Sequence, residues 1–119
     1  MGARLSCIAP EIPVSDLPEG IEFYRTRLGF DLVAEMPAGE YAIVERDDIA
    51  IHLFKAESPG HSPVGIHLLT GDLDELQAEL DHRGARISQR IARKPWGNRD
   101  FRVQDPFGNE LKFTGPAGE

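Results

Sequence analysis

The chain has 119 residues, the size of one domain, and carries 13 basic and 20 acidic side chains for a formal charge of −7, which argues against nucleic acid, whose phosphates need a basic patch. No apolar run approaches the ~20 residues of a membrane span, and no basic start followed by an apolar stretch marks a signal peptide, so the expectation is a cytoplasmic protein without membrane contact. Cys7 is the one cysteine, which excludes an internal disulfide and suits a buried, small apolar position.

In chain order, Ile8 to Val14 reads as a strand, confined to an edge or to donor-free positions by Pro10 and Pro13. Ser15 or Asp16 caps a helix with Pro18 in its first turn and Glu19 three residues beyond Asp16. Leu17, Ile21, Tyr24 and Leu28 form its inner face, and Gly29 is its stop. Strands follow at 30–35, 41–46 and 49–55, with Asp47-Asp48 as a turn between the last two. Residues 56–63 are linker-like. A strand at 64–70 then leads to Asp72, the expected cap of a second helix with Leu73, Leu76 and Leu80 inward and Gly84 at its end. Residues 85–91 form a strand, and Phe101–Gln104 and Glu110–Thr114 form a hairpin across Asp105-Pro106-Phe107-Gly108-Asn109. Pro106 presets φ in that turn and Gly108 permits a positive one.

The pattern repeats. Asp16-Leu17 aligns with Asp72-Leu73 at an offset of 56, and Gly29 with Gly84 at 55, each half reading strand, helix, three strands. The final strand–DPFGN–strand segment resembles the end of proteins in the vicinal oxygen chelate superfamily, which includes glyoxalase I, ring-cleaving dioxygenases, fosfomycin resistance enzymes and bleomycin resistance proteins. Pro95-Trp96-Gly97 before an aromatic strand, Leu28-Gly29-Phe30 at the helix exit and the run from Asp48 to Leu53 are most similar to the bleomycin resistance branch. The resemblance implies an α+β fold of two βαβββ modules (residues 1–56 and 64–119, joined by a linker at 57–63). Their curved mixed sheets would enclose a cleft, in an arm- or domain-swapped homodimer.

Alternation along each strand sends one parity to the core and the other to the cleft. With the bulky aliphatic set placed inward, Ala9, Glu11 and Pro13, Ala50, His52 and Phe54, Gly65, His67 and Leu69, and Glu110, Lys112 and Thr114 face the cleft. The metal ligands of the superfamily's enzymes carry over to Ala9, His52, Gly65 and Lys112. Ala and Gly have no donor atom and lysine is a cation at neutral pH, so no metal and no cofactor is expected there. The alternative is a displaced set, Glu11, His52, His67 and Glu110, whose donor types suit zinc, iron or nickel. Two residues are about 6.5 Å along a strand, so that set converges only through concerted shifts.

The ligand-binding candidates are therefore His52, as a hydrogen-bonding group beneath a ligand or as partner of a neighbouring strand's acid, and His67. Trp96 is a candidate for stacking a flat ring or closing a subunit interface. Tyr41, Phe54 and Phe101 are wall candidates, Phe101 with core as its other reading, and Glu11, Glu45 and Glu110 are candidate acids. His61 and His82 are expected to be exposed. No nucleophile motif and no phosphate loop is present. The resulting expectation is a drug-sequestering protein without catalysis, taking a bulky cationic glycopeptide of the bleomycin type. A metal-dependent glyoxalase- or dioxygenase-like enzyme and a binder of another small molecule are the alternatives.

Overall fold

In a computed structural model, which describes residues 2–57 and 62–116, the chain forms two four-stranded mixed sheets and two helices. The first sheet holds β1 (Glu11–Val14), β2 (Asp31–Glu35), β3 (Tyr41–Arg46) and β4 (Ile49–Lys55), in the order β1-β4-β3-β2, with α1 (Leu17–Thr26) packed on it. The second holds β5 (Gly65–Leu69), β6 (Ile87–Arg93), β7 (Arg99–Gln104) and β8 (Glu110–Gly115), in the order β5-β8-β7-β6, with α2 (Leu73–His82). In each sheet the first strand runs parallel to the last and the other pairings are antiparallel. The fold is α+β, and neither sheet closes into a barrel.

The helices form where local chemistry starts and stops them. Asp16 accepts a hydrogen bond from the Glu19 amide at 3.0 Å, and Leu17, Ile21, Tyr24 and Leu28 are buried. The second helix differs from expectation, because Asp72 stands at the cap but its side chain makes no capping bond. Instead the Thr70 hydroxyl accepts from the Asp72 amide at 3.0 Å. Gly29 and Gly84 take φ of 76° and 82° just past the helix ends, a conformation that penalises any residue with a Cβ.

Several strand boundaries moved. Strand β1 begins at Glu11, not Ile8. Pro10 lacks the N–H a ladder needs, and its carbonyl accepts from the His52 amide at 2.9 Å as pairing starts. Residues 2–9 are exposed, so Ile8 is 89% accessible and Cys7 lies on the surface rather than in the core. Strand β6 runs on to Arg93, and β7 starts at Arg99. Of the histidines expected to be exposed, His82 is so and His61 lies outside the described residues.

The two halves meet through buried polar groups around the β7–β8 turn. Asp105 Oδ2 accepts from the Tyr24 hydroxyl and from Asn109 Nδ2, both at 2.9 Å. Its Oδ1 accepts from the Phe107 and Asn109 amides, each at 2.9 Å. Asn109 in turn donates to the Pro13 carbonyl at 2.8 Å and accepts from the Val64 amide at 3.0 Å. A second, reciprocal contact joins the helix ends. Arg27 donates to the Arg83 carbonyl at 3.0 Å, and Arg83 to the Thr26 carbonyl at 3.3 Å. Each guanidinium thus satisfies a carbonyl left free by the other half's helix.

Burial, then the nearby Asp105 carboxylate, holds the Tyr24 phenol well above its ordinary pKa, so its folded-state contribution persists at neutral pH and fades only at strongly alkaline pH. Tyr24→Phe is expected to lower stability by about 1–3 kcal/mol, and Asp105→Ala by more, because it strands several buried donors. Urea denaturation checks both, and a Tyr24→Phe protein as stable as the parent would contradict this account of how the halves join.

Candidate functional site

The core parity of each strand fixes what its other face carries. In the first sheet Ile12, Val14, Ala42, Val44, Ile51 and Leu53 are buried against α1. The opposite face therefore presents Glu11, Tyr41, Ile43, Glu45, His52 and Phe54. Strand register brings four of these together, since Glu11 pairs across from His52, and Phe54 lies between Pro13 and Tyr41. Tyr41 then ties the group. Its hydroxyl lies 2.8 Å from Glu11 Oε2 and 2.6 Å from His52 Nδ1, with the two rings edge to face at 5.5 Å.

A phenol has one proton to donate. Burial and the Glu11 carboxylate raise the Tyr41 pKa, so the phenol stays protonated and donates to Glu11. The 2.6 Å contact then requires that His52 Nδ1 carry a proton and donate to the phenol oxygen. Nε2 makes no hydrogen bond among the described residues. In the neutral ring it is a lone-pair acceptor held in place by the phenol.

The second sheet presents a different surface. His67 and Lys112 are register partners, as are Gly65 and Glu110, and Arg102 lies beside Lys112. Glu110 Oε1 is 3.7 Å from Arg102 Nη1 and 3.8 Å from Lys112 Nζ, so two cations offset its charge. Asp100 is buried, bonded by Gln89 Nε2 at 2.8 Å, and paired with Lys94 at 3.2 Å and Arg102 at 3.5 Å. Burial pushes the Asp100 pKa up, but the Gln89 amide, Lys94 and Arg102 outweigh it and hold the carboxyl below the usual range. The Arg102 Nε is itself buried without a partner.

Some candidates lie elsewhere. Phe101 is fully buried and stacked on Phe113 at 5.0 Å, on the core side of β7 rather than the cleft wall. Trp96 sits in the β6–β7 loop, 73% exposed. Glu45 lies opposite Asp31 and Ala50, exposed. His67 makes a long contact, 3.4 Å, to the Thr114 hydroxyl. Of the carried-over ligand positions, His52, Gly65 and Lys112 lie on strands. Ala9 precedes β1, and it is Glu11 that adjoins His52. Among the described residues, no three His, Cys, Asp or Glu side chains converge as a metal cage would require. Sequence reasoning missed the cationic group of Lys94, Arg102 and Lys112 with Asp100. The alternation of β7 around buried Phe101 and Val103 was the signal that places Asp100 and Arg102 on the open face.

A family model described as the Glyoxalase/Bleomycin resistance protein/Dioxygenase superfamily matches residues 4–113. The chain belongs to that superfamily. It is 28% identical over 123 residues to a bleomycin resistance protein of Geobacillus stearothermophilus, covering 87% of this chain and 92% of the relative. Its fold is similar to that of the bleomycin-binding protein of bleomycin-producing Streptomyces verticillus, complexed with copper(II)-bleomycin, at a TM-score of 0.80, 24% identity and coverage of 99% of this chain and 100% of that one. A lactoylglutathione lyase of Agrobacterium tumefaciens shares the fold at a TM-score of 0.76 and 19% identity, covering 95% and 96%. No helix among the described residues is long and apolar enough to cross a membrane.

Two outcomes test this geometry. At a pH where His52 is neutral, long-range proton–nitrogen spectra are expected to show the proton on Nδ1, and Tyr41→Phe to shift the population toward Nε2; an unchanged tautomer would refute the phenol's role. Asp100→Asn is expected to cost about 1–3 kcal/mol at pH 7. A carboxyl with a lowered folded pKa stabilises above its unfolded pKa, so the gap to the parent should close as the pH falls below about 4. Denaturation at a series of pH values reads that gap directly.

Proposed function

We propose that the chain is a small-molecule-binding protein of the bleomycin resistance type, which holds its ligand on the open faces of the two sheets and protects by capture, without turnover. The observation that carries the reading is the Glu11–Tyr41–His52 group beside Phe54. It offers an aromatic surface, a fixed imidazole acceptor and a carboxylate, which suit a large ligand bearing rings and N–H donors. The bleomycin resistance relative and the bleomycin-binding fold neighbour support the ligand class. Since Arg102 and Lys112 offset Glu110, the attraction for a cationic drug falls mainly to Glu11 and Glu45. His67 is a further contact on the second sheet.

The reading includes a homodimer that sets the first sheet of one copy opposite the second sheet of the other. Three features support it. The molecule is a slab of 48 × 46 × 25 Å with a radius of gyration of 15.1 Å, above the roughly 13.5 Å of a compact chain this long. Leu5 and Leu69 are 97% and 83% exposed. The first face is anionic where the second carries Lys94, Arg102 and Lys112.

Calorimetric titration with metal-free and with copper-loaded bleomycin is expected to give sub-micromolar binding, about −8 kcal/mol or better, with one drug per chain. His52→Ala and Phe54→Ala should each weaken it about tenfold or more. Absence of heat for both drug forms sinks the ligand, and turnover of a hemithioacetal or cleavage of a ring by metal-reconstituted protein sinks the non-catalytic role. Sedimentation should give twice the 13.2 kDa of one chain, and a monomer at drug-binding concentrations would remove the shared crevice.

A further inference from the structure

The two halves pack reciprocally, each helix facing the β-turn of the other half, but the two places are filled differently. Against α1 lies the five-residue turn from Asp105 to Asn109. Its Phe107 ring enters beside Gly20, where an added Cβ would stand 3.5 Å from the ring. Against α2 lies the two-residue turn Asp47-Asp48, which has no ring to offer, and the residue 56 positions beyond Gly20 is Leu76. The counterpart of the Phe107 plug is thus missing, and a cavity of about 570 Å³ opens between α2 and the β3–β4 turn. That is ample for a drug-sized ligand.

We propose that this cavity is a second small-molecule site, separate from the open sheet faces, and that it takes a hydrophobic organic cation. Its floor is apolar, built from Leu28, Phe30, Leu76, Leu80 and Phe113. Its rim is acidic. Arg46 is the lone cation among the described residues that line it, and it is consumed, donating to Glu79 at 2.7 and 3.0 Å, to the Leu28 carbonyl at 2.8 Å, and pairing with Asp47 at 3.5 Å. Asp48, Asp72 and Glu75 are left without an ion-pair partner among the described residues. Asp72 and Glu75 also serve the amino end of α2, which disperses part of their charge. Asp48 comes from the opposite wall and has no such role. An occupant would take the place of the missing ring with an apolar body and meet these carboxylates with a positive group.

Amide-shift mapping with 1-naphthylmethylammonium, and with 1-naphthylacetate as an anion of similar size, tests the site. The cation is expected to give saturable shifts at Asp48, Leu76, Leu80 and Phe113, and the anion shifts at least tenfold weaker. Leu76→Trp should fill the cavity and abolish the shifts. Asp48→Asn with Glu75→Gln, which leaves the apolar floor intact, should weaken the cation roughly fivefold while leaving the anion unchanged. Shifts confined to the Tyr41–His52 face, equal response to both probes, or cavity amides that change on dilution because a second copy covers them would each overturn the proposal. None of these readouts depends on drug binding at the sheet faces.

Discussion

The structure depends on one buried carboxylate, Asp105. Its two oxygens accept from Tyr24 in the first half, from the Asn109 side chain, and from two amides of its own turn. Asn109 extends the network to the Pro13 and Val64 backbones. A buried polar network is stabilising only when every member is satisfied. These bonds fix where the β7–β8 hairpin stands on α1 far more narrowly than apolar contact alone can. The reciprocal arginine contacts at the helix ends fix a second point. Two points of attachment define the angle between the sheets.

That angle has a functional consequence. Because each helix covers one face of its own sheet and meets the other half's turn, the remaining sheet faces are left open to the outside. The residues on them are released from packing, so chemistry rather than volume decides what they are. On the first sheet the result is a phenol joining a carboxylate to an imidazole. On the second it is a mesh of alternating charges in which Asp100 is buried between Lys94 and Arg102.

Most of the fold was legible because its signals are local. Helical spacing placed Leu17, Ile21, Tyr24 and Leu28 inward, two glycines ended the helices, and turn chemistry marked the last hairpin. The first strand was read too long because apolar Ile8 looked like core, whereas the proline after it ends the ladder. Phe101 shows the limit for the site. Aromatic character admits both a binding wall and a core, and only the parity of Val103 beside it decides for the core. Cross-strand register is likewise not written in one sequence. Which residue of the first strand stands across from His52 was left open, and the observed register places Glu11 there. The Tyr41 bridge, reaching 30 residues back and 11 forward, follows only once that register is known.

The bridge also bears on what the first sheet can hold. A metal held between Glu11 Oε2 and His52 Nδ1 would need the point at which those two atoms aim. Here the phenol oxygen stands between Oε2 and Nδ1, at hydrogen-bond distance from each, and fills that point with an O–H group. Releasing the two donors would mean breaking both bonds and moving the Tyr41 ring, which packs edge-on against the imidazole. The same arrangement leaves Nε2 and the second carboxylate oxygen of Glu11 without a hydrogen bond among the described residues, open to a hydrogen-bonding ligand. Preorganisation of this kind suits recognition of a donor-rich molecule.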